Sequence, residues 1–495
     1  MTWTTRIRTL YQAFFLLLFV WLLAHLAADD PRAFPFTVFH HADPLSATGT
    51  ALASGTIPGA LVWAAALIAL TLVLGRVFCG WVCPLGTLQQ LASFLFSGRT
   101  RRESLSVNRY RRWYAVKYYI LAALLVGALA GTLQTGLLDP LSLAARGLAS
   151  GLWPALPGGR PAPGGWLAAL LLVAIVVVSR WIPRLFCRAF CPLGALLGVF
   201  ARFAVFRIHR GSEACTSCTL CAFACQGADE PLGNHRVGEC MVCLNCLPAC
   251  PEQAMSYSAL PPLPEPPQQP DLSRRTLVGT VLASLAIAPL LRATGGGRTA
   301  ARARLLRPPG ALAETDFLER CVKCSLCQQA CPTGAIQSAI AEAGVEGFWT
   351  PVVVPRRGWC EFACTRCGEV CPTAAITRLT PARKTGYDGK PAVRIGTAFV
   401  DRGRCLPWAM QTPCIVCEEM CPTDPKAIWF EEAVETARDG TARKLQRPRV
   451  DAARCVGCGI CENKCPVGEE AAIRVTSVGE TRDPLNRLLA GSVQT

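Results

Sequence analysis

The sequence predicts a polytopic α-helical membrane domain, with four spans and a candidate fifth, that carries small cysteine-rich α+β domains on both sides. Two observations support this fold class. Hydrophobic residues make up 51% of the 495 residues, and in the first half of the chain they form long runs, which favours a membrane protein. The chain also contains 28 cysteines, and their recurring spacings indicate metal or disulfide chemistry.

Four apolar runs are long enough to cross a bilayer, and they occupy residues 10–28, 59–78, 115–133 and 166–182. A spanning helix needs about 20 predominantly apolar residues, whereas a buried helix of a soluble domain usually shows a run of roughly 10–14. The sequence therefore predicts a four-span membrane domain over residues 1–210.

Basic residues in the connecting segments predict the orientation of this domain. The loop after the second run and the segment after the fourth are rich in arginine: Arg99, Arg101, Arg102, Arg109, Arg111, Arg112, Arg184, Arg188, Arg202, Arg207 and Arg210. The loop after the first run has Asp29, Asp30 and Asp43 against one arginine, Arg32. Because short loops rich in basic residues stay in the cytoplasm, we expect a bacterial inner-membrane protein with its N-terminus and residues 211–258 inside.

Six sets of four cysteines follow, closely or with a longer first spacing, the pattern C-x2-C-x2-C-x3-C that binds cubane iron–sulfur clusters. The sets are Cys215, Cys218, Cys221 and Cys225; Cys240, Cys243, Cys246 and Cys250; Cys321, Cys324, Cys327 and Cys331; Cys360, Cys364, Cys367 and Cys371; Cys405, Cys414, Cys417 and Cys421; and Cys455, Cys458, Cys461 and Cys465. Proline follows the last cysteine of every set except the first, which has Gln226. The sequence therefore predicts six [4Fe–4S] clusters. A disulfide framework and structural zinc are the alternatives, but cysteines three apart in series pair poorly as disulfides.

The sets predict ferredoxin-like domains in which the fourth cysteine of each set reaches the neighbouring cluster. In residues 211–258, Cys215, Cys218, Cys221 and Cys250 would hold one cluster, and Cys240, Cys243, Cys246 and Cys225 the other. In residues 304–495, the simplest pairing also joins neighbours: Cys321, Cys324, Cys327 with Cys371; Cys360, Cys364, Cys367 with Cys331; Cys405, Cys414, Cys417 with Cys465; and Cys455, Cys458, Cys461 with Cys421. A pairing of the first set with the fourth and the second with the third is the alternative.

Two short segments separate these domains. Residues 259–272 are rich in proline and predict a stiff linker. Residues 273–292 begin with Arg274 and Arg275 ahead of an apolar run, a pattern typical of a twin-arginine export signal, although arginines at an ordinary helix start are an alternative. Because clusters are built in the cytoplasm, residues 304–495 would cross the membrane already folded. The segment either stays as a fifth span or is cleaved near Ala301 and Ala303.

The four remaining cysteines belong to an internal duplication. Residues 76–86, RVFCGWVCPLG, recur as residues 184–194, RLFCRAFCPLG, with Cys79, Cys83, Cys187 and Cys191 at matching positions. A C-x3-C spacing places both thiols on one side of a helical turn. These cysteines are candidates for a catalytic redox role, either as one four-thiolate metal site or as two redox-active dithiols. A structural pair at a helix end is the alternative.

The sequence argues against several cofactor classes. It has no C-x-x-C-H for c-type haem, and among five histidines only His25 lies in a predicted span, so a b-haem with two histidine ligands is excluded. Neither G-x-G-x-x-G nor a phosphate loop occurs, which argues against NAD and ATP.

Charge and the remaining histidines bear on partners. Six clusters of about −2 each would offset most of the net charge of +16, and the basic runs flank spans, so we do not expect nucleic acid as a partner. The lipid bilayer is the expected environment. His40, His41 and Asp43 could accept protons from a quinol, and an ordinary polar loop is the alternative.

Residues 1–260 resemble the NapH/MauN family in their four apolar runs, paired C-x3-C-P motifs and two-cluster tail. Residues 271–495 resemble the NapG/MauM family in their twin-arginine segment and four cysteine sets. The resemblance implies a quinol dehydrogenase that takes electrons from the membrane quinol pool and passes them to a periplasmic cytochrome c or a reductase such as nitrate reductase. The alternatives are a maturation or reactivation factor that reduces a metal or partner enzyme, and, less well supported, a redox sensor.

Overall fold

The computed structural model describes residues 3–26, 37–95, 100–153, 164–211, 214–227, 229–232, 235–259, 270–296, 305–436 and 442–486. Four predicted features lie wholly or mostly outside these residues. They are the acidic residues 29 and 30 with Arg32, the basic residue Arg99, the proline-rich segment up to residue 269, and the small-residue motif at 301–303.

The first half of the chain is helical, and it follows the predicted spans with shorter helices at two of them. Helix α1 is Trp3–His25, α2 is Val38–His41, α3 is Pro44–Ser54, α4 is Trp63–Leu74, α5 is Val77–Trp81, α6 is Pro84–Leu95, α7 is Arg101–Asn108, α8 is Val116–Leu129, α9 is Pro140–Arg146, α10 is Gly165–Val178, α11 is Leu185–Ala189 and α12 is Pro192–Ala201. Turns of 3-10 helix precede α4 and α8, and a π-helical turn, Gly147–Leu152, follows α9.

Within the described residues, three helical segments are long and apolar enough to cross a membrane: Trp3–His25, Arg102–Leu129 and Arg274–Arg292. The second and fourth predicted spans correspond to the apolar helices Gly59–Leu74 and Gly165–Val178, which have between 10 and 17 residues. Both are shorter than predicted because the chain turns at Gly75, where φ is 76°, and at Ser179.

The two halves of the duplication interlock in space. In each half an apolar helix leads into a cysteine-bearing turn, α5 or α11, and then into a helix that begins with Cys-Pro, α6 or α12. Helix α6 of the first half contacts α9 and α10 of the second, and α12 of the second contacts α3 and α4 of the first. This exchange brings the cysteines of both halves into one core.

Two cysteine-rich domains flank the helices. The first cysteine domain, residues 206–259, contains the antiparallel pair β1 (Phe206–Arg210) and β2 (Met255–Ala259) and the short helices α13 (Leu220–Ala224) and α14 (Cys246–Ala249). It continues from the helical domain, since the Tyr257 hydroxyl donates to the Leu74 carbonyl at 2.9 Å. Helix α15, Arg274–Gly296, then packs along α8.

The second cysteine domain, residues 305–486, is built from short elements around its cysteine loops. The helices are α16 (Glu314–Arg320), α17 (Leu326–Gln329), α18 (Arg366–Glu369), α19 (Pro381–Thr385), α20 (Leu406–Ala409), α21 (Val416–Glu419) and α22 (Ile460–Lys464). The strands form three antiparallel pairs: β3 (Ile336–Ser338) with β4 (Pro351–Val353), β5 (Thr397–Val400) with β8 (Ile473–Thr476), and β6 (Ile428–Thr436) with β7 (Ala442–Val450).

Candidate functional site

The structure brings the cysteines of neighbouring sets together. Separate cavities are lined by Cys215, Cys218, Cys221 and Cys250, by Cys321, Cys324, Cys327 and Cys371, and by Cys405, Cys414, Cys417 and Cys465. The thiols of Cys246, Cys243 and Cys225, of Cys367, Cys360, Cys364 and Cys331, and of Cys461, Cys455, Cys458 and Cys421 lie within electrostatic range of one another. Four sulfur donors around a cavity suit a cubane cluster, with the fourth donor coming from the partner set.

Four cysteine loops share an unusual backbone at equivalent positions. The second residue after the first cysteine and the first residue after the second cysteine have positive φ, at Ser217 and Thr219, Val242 and Leu244, Lys323 and Ser325, and Gly457 and Gly459. In three of these loops the residues are not glycine, so each costs roughly 1–3 kcal/mol. Backbone strain of this kind is found where a loop wraps closely around a bound group. Here the strained loops surround the space that the thiols enclose.

The four C-x3-C cysteines also come together, at what we call the thiol end of the helical domain. The Cys191 thiol lies within electrostatic range of the thiols of Cys187, Cys79 and Cys83. Cys83, Cys187 and Cys191 are buried and Cys79 is half-buried. The duplication therefore builds one site from two copies of the motif.

Two buried arginines cross between the copies. Arg76 of the first copy approaches Gly194 of the second, where an added Cβ would lie 2.9 Å from the arginine Nη2. Arg184 of the second copy approaches Gly86 of the first and donates to the Cys79 carbonyl at 3.1 Å. The arginines are 0% and 1% exposed. A side chain at Gly194 would crowd the Arg76 guanidinium, whereas a Cβ at Gly86 would lie 3.8 Å from Arg184, in ordinary contact, and 3.1 Å from the Cys79 carbonyl.

The second cysteine of each copy caps the helix that follows. The Gly194 amide donates to Cys191 Sγ at 3.2 Å, and the Gly86 amide donates to the Cys83 thiol in the same way. Proline follows each cysteine at the first helical position, where its missing N–H is not needed. Thiolates here would be stabilised by the positive ends of α6 and α12.

The other end of the helical domain repeats this device with carboxylates, and we call it the aspartate end. Asp43 caps α3 by accepting from the Leu45 and Ser46 amides at 3.0 and 3.1 Å. Asp139 caps α9 by accepting from the Ser142 amide at 2.7 Å. Both aspartates are fully buried. Burial raises the pKa of Asp43 to about 6 and, together with the charge of Asp43, raises the pKa of Asp139 well above its usual range.

One of the predicted proton acceptors in this region, Asp43, is a member of the buried aspartate pair. His40 is 2% exposed and lies on α2, and burial lowers its pKa to about 3, which keeps its ring neutral. His41 contacts the Thr37 hydroxyl at 3.0 Å. Asp139 was not among the predicted site residues, although the sequence carries a signal for it: Asp-Pro-Leu-Ser occurs at residues 43–46 and again at 139–142.

The second cysteine domain is seated on the aspartate end. The buried Arg146 donates to the Lys323 carbonyl at 2.9 Å and lies 3.9 Å from the Trp349 ring. The Val322 carbonyl occupies the space where a side chain at Gly136 would begin. The loop that carries Cys321 and Cys324 is thus in direct contact with the helical domain.

The first cysteine domain is seated on the thiol end. Trp81 donates to the Val242 carbonyl at 2.9 Å, and Arg8 donates to the Cys243 carbonyl at 2.8 Å. Lys117 pairs with Glu239 inside the interface. The loop that carries Cys240 and Cys243 therefore lies directly over the four-cysteine site.

A cleft of about 550 Å³ opens between α1 and α6 at the thiol end. Its lining surface is largely apolar, with Leu16, Leu91 and Phe94, and it also includes Gln90, Arg184 and Cys225. Arg184 and Gln90 are hydrogen-bonded to each other. This volume is within the range of pockets that bind small organic molecules, and its wall includes a cysteine of the first cysteine domain.

Comparisons with protein families assign iron–sulfur chemistry to several parts of the chain. A family described as a 4Fe-4S binding domain matches residues 56–103 and 164–211, a 4Fe-4S dicluster domain matches residues 239–336, and a further 4Fe-4S binding domain matches residues 448–468. The first two matches each contain one C-x3-C pair. The chain thus carries 4Fe-4S binding domains in both halves.

Several relatives of the chain are ferredoxin-type proteins. The methylamine utilization ferredoxin-type protein MauM of Methylorubrum extorquens is 39% identical over 199 residues, which are 40% of this chain and 81% of that protein. MauM of Methylobacillus flagellatus is 38% identical over 209 residues, 41% of this chain and 80% of its own length. The ferredoxin-type protein NapG of Escherichia coli is 37% identical over 172 residues, 34% of this chain and 69% of NapG. No solved structure matches the chain.

Proposed function

The chain belongs, through its C-terminal region, to the family of the ferredoxin-type proteins MauM and NapG, and from this premise we propose that it is a membrane quinol dehydrogenase that feeds a periplasmic redox partner. The observation that carries the proposal is the cleft between α1 and α6, which combines a largely apolar lining with Cys225 in its wall. A quinol head group would enter it from the bilayer.

The residues proposed to hold the clusters are the 24 cysteines of the six sets, in the neighbouring pairs that the structure brings together. When bound, the [4Fe–4S] clusters supply one-electron transfer at potentials set by local charge, hydrogen bonds and exposure. The protein's part is to place one set beside the substrate and another on the opposite side of the helical domain. Cys225 at the cleft and Cys321 at the aspartate end meet these two requirements.

The polar groups that line the cleft would orient the quinol. Gln90 and Arg184 are hydrogen-bonded to each other, and Gln12 donates to Gln90 at 2.9 Å, so the three side chains form a fixed hydrogen-bonding wall. Oxidation of a quinol to a quinone releases two electrons and two protons. None of the described residues that line the cleft carries a carboxylate or imidazole, so we expect these protons to pass to water at the cytoplasmic side.

The proposed topology follows the positive-inside rule. The helices Trp3–His25, Gly59–Leu74, Val116–Leu129 and Gly165–Val178 would cross the inner membrane, with the thiol end cytoplasmic and the second cysteine domain periplasmic. Helix α15 packs along α8, which suits a fifth span that follows the twin-arginine pair. The terminal acceptor would be a periplasmic cytochrome c or reductase.

The test is a matched pair of variants on α1. Leu16 lines the cleft, whereas Leu10 is 70% exposed and is not among its lining residues. In the anaerobic full-length protein, Leu16→Trp should slow cluster bleaching by a reduced quinol analogue at least about tenfold, because the indole occupies part of the cleft. Leu10→Trp should leave the rate unchanged.

Two results would contradict the proposal. Equal rates in both variants and the unaltered protein would remove the cleft from the reaction. An unaltered protein that stays oxidised with quinol but bleaches with dithionite would instead support the alternative function, occasional reduction of a metal or partner enzyme during maturation or reactivation.

A further inference from the structure

The four thiols of the C-x3-C motifs form a site that the six cluster sets do not account for. Cys79, Cys83, Cys187 and Cys191 come from two chain segments that each supply only half of a four-donor set. The structure brings the two halves of the donor set together. The capping thiols, Cys83 and Cys191, each lie within electrostatic range of thiols from both segments. The resulting donor set is four sulfurs.

The buried cations around this site outnumber their acidic partners, since Glu239 lies 4.0 Å from Arg76 and also pairs with Lys117. Arg184 is 1% exposed, and its hydrogen bonds go to neutral groups: the Cys79 carbonyl, the Met241 sulfur at 3.2 Å and the Gln90 side chain. The Nε atoms of Arg76 and Arg184 are buried without a hydrogen-bond partner. An uncompensated buried cation is costly. Four thiols with their protons would not supply the missing charge, whereas a four-iron cluster with four thiolates carries about −2.

The spacing of the thiols argues against a single metal ion. Among the described residues, the one group with three metal-ligating atoms within 4.8 Å of one another is Asp229, His235 and Cys240. A zinc ion bound by four cysteines holds their sulfurs about 3.8 Å apart, because each Zn–S bond is about 2.3 Å. The four thiols are therefore spaced more widely than a zinc site needs, as are the six cluster sets.

The site lies between the two cysteine domains. On one side it touches the loop that carries Cys240 and Cys243, since the Met241 carbonyl occupies the space where a side chain at Gly80 would begin. On the other side Cys83 is within electrostatic range of Asp139, and Arg146 is within range of both Asp139 and Cys324. The four thiols thus lie on the path from the first cysteine domain to the second.

From the donor set, the charge, the spacing and the position, we propose that Cys79, Cys83, Cys187 and Cys191 together bind a seventh [4Fe–4S] cluster, shared between the two copies of the duplication. It would accept one electron from the reduced cluster of the Cys240 loop and pass one electron on to the cluster of the Cys321 loop. The inference does not depend on quinol being the electron donor.

Metal content of the anaerobically purified full-length protein tests the proposal. Seven clusters give about 28 iron and 28 acid-labile sulfide per chain, and six give about 24 of each. The variant Cys83→Ser/Cys191→Ser should lose about four iron, one seventh of the total, without gaining zinc. Ser93→Ala, on the helix that Cys83 caps but bonded to the Ser179 carbonyl, should keep the full content.

A second pair of thiols calibrates the loss. Cys414→Ser/Cys465→Ser removes two ligands of one cavity in the second cysteine domain, so it shows the iron loss that one cluster produces. If the thiol-end variant fails to fold, the iron content of the unaltered protein still distinguishes seven clusters from six. About 24 iron with one zinc per chain would overturn the proposal in favour of a zinc site. About 24 iron with Cys79, Cys83, Cys187 and Cys191 recovered as disulfides would overturn it in favour of redox dithiols.

Discussion

The two ends of the helical domain use the same local structure for opposite chemistry. Each end has two helices that begin X-Pro-Leu, with X as a fully buried cap: Cys83 and Cys191 at the thiol end, Asp43 and Asp139 at the aspartate end. Sulfur beside two arginines suits electron transfer, whereas carboxylates with raised pKa values hold protons. The comparison shows that one helix-capping device presents buried thiols at one end of the domain and buried carboxylates at the other.

The largest expected effect comes from removing one thiol at the thiol end. Cys187 accepts from the Gln89 side chain at 3.2 Å and is buried. With Cys187→Ser, quinol should still reduce the first cysteine domain, but reduction of the second should slow about 100-fold or more, because the electron path loses its intermediate step; a 100-fold change corresponds to about 2.7 kcal/mol on the barrier. EPR of freeze-quenched samples distinguishes the two domains.

Dithionite provides the control for that variant, since it should still reduce all six remaining sets. Delivery of electrons to the second domain at the unaltered rate would mean that the thiol end carries no electrons, and the contrast between the two ends would be lost.

The next effect concerns how the second cysteine domain is held at the aspartate end. Arg146 is 1% exposed and donates to the carbonyls of Gly136, Leu137 and Lys323. Arg146→Ala leaves these carbonyls unpaired in a buried interface and should cost about 3–5 kcal/mol of docking stability. Limited proteolysis between the helical and second cysteine domains measures the loss.

Arg292 provides the matched control on the same interface. Its ion pair with Glu319, at 2.8 Å, is 46% exposed on the arginine side, so Arg292→Ala should cost about 0–1 kcal/mol. Equal protease sensitivity of the two variants would show that Arg146 does not anchor the domain.

The smallest expected effect is a pH dependence that belongs to the aspartate end. The pKa of Asp43 rises from 3.8 to about 6 on burial, and a raised carboxyl pKa means that the folded state binds more protons than the unfolded one. Stability from this group is then greatest below about pH 4 and is lost between about pH 4 and pH 6, by about 3 kcal/mol in all. The apparent melting temperature should therefore decline between about pH 4 and pH 7.

Asp139→Asn should flatten that decline, because it removes one carboxyl and the charge that opposes ionisation of the other. Asp401→Asn, in an ion pair with Arg474 that is 36% exposed on the aspartate side, should leave the slope unchanged. A slope unaffected by Asp139→Asn would show that the buried pair does not control the pH response.

The sequence was informative where local spacing decides the structure. The spacing within each set predicted which three cysteines lie together, because these cysteines are close to one another in the chain. The fourth cysteine comes from another set, and the sequence left two pairings open in residues 304–495, of which the structure shows the neighbouring one. The apolar runs predicted where the helices lie, but not that Gly59–Leu74 and Gly165–Val178 would be short, since hydropathy does not register a turn.

The candidate site depended on contacts between distant segments, and the sequence did not provide them. The crossing of Arg76 and Arg184 between the two copies follows from the interlocked packing of α6 and α12. The partnership of Asp43 with Asp139 joins residues 96 positions apart, as their numbers show. Asp-Pro-Leu-Ser was visible as a repeat, but only the fold shows that its two aspartates are buried close to each other.

The most direct test of the account asks whether electrons from quinol reach the second cysteine domain. The anaerobic full-length protein in lipid nanodiscs would be mixed with a reduced quinol analogue, and cluster reduction would be followed by visible bleaching and EPR. We predict reduction of the first cysteine domain, followed by reduction of the second. Reduction that stops at the first domain, or clusters that respond to dithionite alone, would contradict a quinol dehydrogenase that conducts across the helical domain.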